Sequence, residues 1–259
     1  NGEKDFTKLE QRARVFARMK SLSCSSKERA QLLEIAQQAA FGLVKQSAGE
    51  NASGEVLAKA YLDYFRRYQS SSLGDKALYQ AVLAYKKAGK EKAANKVKLK
   101  LIKTFPQSDL ARETLFAMAA EYENAVDIKK SRKLFELFAG RYAEDKRAPV
   151  AWLKVAKFSA ALGDDSQAQK AFGKVGTSYA SHPQAHLAAI KACEPLEKEI
   201  EEYRQDGFKP SKKRAELLDK CYAGWLSEKL YRTRDADLRC YVLTRRAQLY
   251  RGALSSAAR

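Results

Sequence analysis

Apolar residues recur at helical spacing along most of the chain. In LGDKALYQAVLAYKKAGK, residues 73–90, they gather on one side, with Lys76, Lys86, Lys87 and Lys90 among the rest. This pattern predicts an amphipathic helix. It also recurs: Tyr68, Phe105, Tyr142 and Tyr179 are each separated by 37 positions. The same shift superposes Leu78, Leu115 and Trp152; Tyr79, Phe116 and Leu153; Val97, Leu134 and Ala171; and Leu101, Phe138 and Val175. Gly89-Lys90, Val126-Asp127 and Gly163-Asp164 fall in register too, two of the three with the glycine that suits a helix end in the left-handed conformation. Each unit therefore reads as two helices. The first runs over 73–88, 108–125 and 147–162, and the second over 90–105, 128–142 and 164–179. Pro106 and Pro183 punctuate the loops between units. A hairpin of this kind cannot bury both faces alone, so the units are expected to stack into an all-α solenoid.

Outside the repeats the spacing is weaker. Residues 5–48 predict one or two helices, with Ser25 or Ser26 capping the second, and 47–54 is a Gly/Asn/Ser loop. Leu57, Tyr61, Phe65 and Tyr68 read as the second helix of a degenerate leading unit. After Pro183 the register is expected to fail, giving longer helices, with a break at Lys209-Pro210-Ser211 and a last helix over 235–252. The division predicted is N-terminal helices over 1–54, repeats over 55–183 (units at about 73–106, 108–143 and 147–183) and a C-terminal helical capping region over 184–259.

Composition fits this picture: 45% hydrophobic and 31% charged residues, with only 5 Pro, is the balance of a folded, helix-favouring chain. Charge adds something the periodicity does not. The 49 Lys+Arg against 31 Asp+Glu give a net +18, which predicts attraction to an anionic partner or, as plainly, a solvated lysine-rich surface. Lys92, Lys96, Lys100 and Lys103 step by three and four and form one basic stripe, while KPSKKR at 209–214 and the Arg-rich stretch from Arg232 to Arg251 add further charge. No run of about 18 apolar residues is present, so no membrane span is expected. The start at Asn1 without Met suggests a trimmed or mature chain with room for a signal or anchor upstream. SLSC at 21–24 lacks the preceding hydrophobic run of an acylation site.

Few residues suggest chemistry. His182 and His186 stand four apart, a spacing that suits a metal on a helix, but Pro183 makes His182 a cap or loop residue and no Cys or acidic partner is close by. Glu197, Glu199, Glu201 and Glu202 read as an exposed helix face rather than a general acid pair. The cysteines Cys24, Cys193, Cys221 and Cys240 have no metal-ligand spacing. They read as buried thiols, with pairing among the last three open in an oxidising compartment. No nucleotide, hydrolase or metalloprotease motif occurs, so the expectation is a non-enzyme without cofactor or metal.

Trp152, Ala156, Gly163, Asp164, Ala168 and Phe172 match the aromatic, small and turn positions of the tetratricopeptide repeat. So do Leu78, Tyr85, Gly89, Ala94 and Pro106, and Leu115, Ala119, Tyr122 and Phe135. The chain resembles that family over about 54–183. It departs from it at Lys98, Ser131 and Ser159 and in a period longer than the 34 residues usual there. The resemblance implies a right-handed superhelix and a scaffold that binds proteins. First helices of the family line a concave groove, which would here include Lys76, Tyr79, Lys86, Lys87, Phe116, Glu123, Asn124, Leu153 and Lys157, suited to an acidic or amphipathic peptide. The loop style TFPQSDLARETL resembles the repeats of bacterial cell-envelope assembly and motility proteins. That implies a periplasmic or envelope-associated scaffold, with a cytoplasmic location and a nucleic-acid-associated repeat protein as the alternatives.

Overall fold

The computed structural model describes residues 2–19, 25–47, 53–208, 211–225 and 236–249. SLSC at 21–24, most of the 47–54 loop, Lys209, Pro210 and much of the Arg-rich C-terminal stretch lie outside them. Among the described residues the regular structure is entirely helical. Two compact units divide the chain, Asn1–Met118 and Ala119–Arg259.

Unit 1 contains α1 (Gly2–Arg18), α2 (Ser26–Gln46), α3 (Gly54–Arg67), α4 (Gly74–Lys87), α5 (Glu91–Thr104) and the start of α6 (Asp109–Asn124). A capping box opens α2: Glu28 donates its backbone N–H to the Ser25 side chain and its carboxylate accepts the Ser25 N–H. That fixes Ser25 as the cap. Helices pack in chain order, and the core joins Tyr61, Tyr64 and Phe65 of α3 to Leu78, Val82 and Tyr85 of α4 and Val97 and Leu101 of α5. Each such fully buried side chain contributes about 1.5–3 kcal/mol. Polar contacts at Glu10 tie the leading hairpin to this core, one of them from Arg67 at 3.9 Å. The Tyr68 hydroxyl donates to the buried Glu10 carboxylate of α1, which also takes Arg14 at 3.4 Å.

Unit 2 contains the end of α6, then α7 (Ile128–Arg141), α8 (Ala148–Ala161), α9 (Asp165–Ser178), α10 (Ala185–Gln205), α11 (Lys212–Trp225) and α12 (Ala236–Leu249). Neighbours in sequence again pack on each other. The apolar helix α8 lies between α7 and α9 and buries Trp152, Val155 and Ala156. Ser131, standing where the repeat favours alanine, is fully buried and donates its hydroxyl to the Ala119 carbonyl at 2.9 Å, so that hydroxyl is not stranded.

The 37-residue period has a backbone cause. Tyr68, Phe105, Tyr142 and Tyr179 are the residues on which the four second helices stop, with φ/ψ of −127°/62°, −124°/61°, −117°/56° and −126°/46°. Each carbonyl then accepts the N–H three residues on, from Ser71, Ser108, Asp145 and His182. The side chains of those four residues accept in turn from the N–H of Leu73, Leu110, Arg147 and Gln184. Ser, Ser, Asp and His thus perform one task, closing a side-chain turn that launches the next helix. The launch places Gly74, Ala111, Ala148 and Ala185, also 37 apart, at buried positions. At Gly74 a Cβ would come within 2.6 Å of the Phe105 ring.

Within hairpins the turn is equally regular. The N–H groups of Lys90, Asp127 and Asp164 reach back to the carbonyls of Tyr85, Tyr122 and Ser159, a Schellman closure in which Gly89, Val126 and Gly163 adopt φ of 69°, 58° and 75°. Asp127 and Asp164 then cap their helices by accepting from the N–H of Lys130 and Gln167.

Beyond Pro183 the turn at His182 and the small residue Ala185 repeat the loop once more, and α10 and α11 make a further hairpin whose 21-residue first helix departs from the 37-residue period. One expectation is corrected: the cysteines are not all thiols. Cys193 of α10 and Cys221 of α11 form a disulfide with Cα atoms 5.9 Å apart, while Cys240 is free and exposed. Cys24 lies outside the described residues.

Candidate functional site

In unit 1, α4 buries Ala77, Leu78, Ala81, Val82 and Tyr85, which turns Lys76, Gln80, Leu83 and Lys87 outward at steps of four, three and four. Lys86 is exposed beside them, and Tyr79 is half-buried with its inner side packed on the core. Leu83 is 42% exposed. On α6 the corresponding positions hold Glu113 and Ala117, exposed, with Phe116 half-buried.

In unit 2 the residues assigned to the same surface divide. Asn124 and Lys157 are exposed, and Glu123 is half-buried and accepts from the Lys154 ammonium at 2.7 Å, whose Nζ also sits 5.5 Å from the Phe135 ring. Leu153 is only 6% exposed and belongs to the interior, so it offers a partner almost no surface. Its place on the outer side of α8 is taken by Val150, Lys154 and Lys157. The predicted groove set omitted Gln80, Leu83 and Val150, which are exposed on α4 and α8. The helical steps through Lys76 contain the first two.

The remaining candidates for chemistry are occupied structurally. His182 accepts the Gln184 N–H at Nδ1, and among the described residues no group of three His, Cys, Asp or Glu side chains is arranged to hold a metal. Glu197, Glu199, Glu201 and Glu202 are each in an ion pair, with Arg245, Arg214, Arg204 and Lys198. Their contacts with Arg214 and Arg245 tie α10 to α11 and α12. A cavity of about 450 Å³ lies alongside, lined by Glu197, Ile200, Glu201, Leu218, Tyr222 and Arg245. At the caps, the Arg132 guanidinium and then the Gln167 N–H hold the Asp164 carboxyl below its ordinary range, and Lys130 does the same for Asp127 through side chain and backbone. In both, the ion pair is the larger cause and the helix-cap hydrogen bond the second. Among the described residues no helix is long and apolar enough to cross a membrane.

Hairpins of a first and a second helix, joined by a repeated cap and packed on their sequence neighbours within each unit, make the described residues an all-α helical-repeat array. No protein-family model matches the chain, and no curated protein matches it. Among solved structures it is similar to a variant of a Podospora anserina protein described as a kinesin light chain with nearly identical TPR-like repeats. The two share 13% identity over 90% of this chain and 99% of that one, at a TM-score of 0.35.

Proposed function

We propose that the chain is a non-catalytic scaffold that holds a partner protein or peptide on the outward faces of its first helices, within a bacterial envelope complex. The observation that carries this reading is the α4 face: Leu83 and the open side of Tyr79 lie among Lys76, Lys86 and Lys87, an apolar strip flanked by cations that the core does not use. An acidic or amphipathic peptide complements it, with its carboxylates toward the lysines and its apolar side chains on Tyr79 and Leu83. The Cys193–Cys221 disulfide favours an oxidising compartment over the cytosol and so supports the envelope setting.

Crosslinking in the source cells, then affinity capture with and without nuclease and mass spectrometry, tests the reading. The expected result is one nuclease-resistant set of envelope proteins that is lost with Leu83→Ser/Lys87→Glu, both exposed changes that leave the fold intact, and weakened by Tyr79→Ala or Phe116→Ala. Recovery of ribosomal or nucleoid proteins that disappear with nuclease would overturn it.

A further inference from the structure

The positive charge is concentrated on the second helices. Lys59, Lys96, Lys133 and Lys170 stand 37 apart, one on each of α3, α5, α7 and α9, and all four are exposed. Helix α5 carries the effect furthest. Lys92, Lys96, Lys100 and Lys103 are exposed along it, and its one exposed carboxylate, Glu91, sits in the first turn. The carboxylates of α3 are engaged elsewhere, Glu55 with Lys59 at 2.9 Å and Lys90 at 3.8 Å, and Asp63 with Arg66. In the middle of the lysines Leu99 is 50% exposed, and Lys100 covers the Phe65 ring at 4.5 Å. Helix α7 of unit 2 repeats two of these lysines, as Lys129 and Lys133, but has Leu137 and Gly140 where α5 has Lys100 and Lys103, and Glu136 where it has Leu99.

We infer that the outer face of α5 is a docking surface for an anionic phospholipid membrane. Lysine ammoniums are point charges that attract a field of headgroups without demanding the bidentate geometry in which arginine excels. A leucine projecting from the middle of such a stripe gains by entering the interfacial layer. The same face suits nucleic acid less well. It has no exposed aromatic on which a base can stack, since Phe65 lies beneath Lys100, and α5 has no arginine to form a fork. This role is separate from the protein-binding face of α4 and does not depend on it.

The test is co-sedimentation of the full chain with phosphatidylcholine vesicles, with and without phosphatidylglycerol, at salt from about 0.1 to 1 M. Binding is expected only with phosphatidylglycerol and is expected to vanish at high salt. Each lysine near the surface is worth about fivefold, so Lys92→Gln/Lys96→Gln/Lys100→Gln/Lys103→Gln is expected to lower partitioning by roughly 100- to 1,000-fold. Leu99→Ala is expected to weaken it by less. A control that removes charge elsewhere, Lys8→Gln/Lys27→Gln/Lys45→Gln, is expected to bind nearly as well as the parent, and circular dichroism checks that every variant is folded. No binding, or an equal loss per charge in the control, would overturn the proposal. So would duplex DNA that displaces the vesicles and binds the Leu99→Ala variant as tightly as the parent, in which case the face belongs to nucleic acid.

Discussion

Replacing both Cys193 and Cys221 by serine removes the crosslink between α10 and α11 without leaving a lone thiol. The bridged residues are 28 apart in sequence. Closing a loop of that length in the unfolded chain costs about 12 cal/mol/K, or about 3.6 kcal/mol at 25 °C, which the disulfide removes from the balance. If the roughly 140 residues of unit 2 melt together, a loss of that size lowers the midpoint by about 12 °C. Thermal unfolding followed by circular dichroism, with the parent run with and without reductant, measures it. Hydrogen exchange locates it: in a stacked array each hairpin contacts its neighbours alone, so lost protection is expected in α10 and α11 and not in α3–α5. Non-reducing peptide mapping must first find Cys193 joined to Cys221. With the link present, a change below about 1 kcal/mol would refute the chain-entropy reasoning. With Cys193 found as a thiol, the support for an oxidising compartment falls as well.

Val126 occupies a left-handed position that Gly89 and Gly163 fill elsewhere, and it is 75% exposed, so Val126→Gly relieves backbone strain at no packing loss. The expected gain is about 0.5–1.5 kcal/mol by denaturant melts, the strain relieved less the added freedom of the unfolded glycine. Tyr68→Phe leaves the buried Glu10 carboxylate without its hydroxyl donor and is expected to destabilise unit 1 by about 1.5–3 kcal/mol, with exchange protection lost first in α1. Asp127 and Asp164 have folded pKa values below their ordinary range. On acidification the unfolded state therefore takes up protons first. Their contribution is complete above about pH 4 and drains away as pH falls through the folded values, and the Asp127→Asn/Asp164→Asn variant is expected to show a shallower acid limb in pH-dependent melts.

Much of the repeat was legible because its turns impose identity or near-identity. A helix stop at 68, 105, 142 and 179 favours an aromatic, and the left-handed turn at 89 and 163 favours glycine, so the period can be read from letters alone. The acceptors at 71, 108, 145 and 182 were invisible to the same comparison. Their shared property is one lone pair near the backbone, presented by three unlike side chains. The cysteine pairing was illegible for a different reason: three candidates were available, and the antiparallel path of α10 and α11, which brings two of them together, is not a local property. Leu153 and Tyr79 share a register position yet differ in exposure, because exposure depends on neighbouring helices that the spacing does not describe. The partners of Glu199 and Glu197 likewise come from α11 and α12, beyond the reach of any helical step.

The four interchangeable acceptors bear on how such a chain can change over time. A turn that serine, aspartate and histidine all close is specified by a bond and not by a residue. Each copy is then free to take several spellings while its turn keeps the same bond. The copies at 71, 108, 145 and 182 already differ in residue type and share that bond.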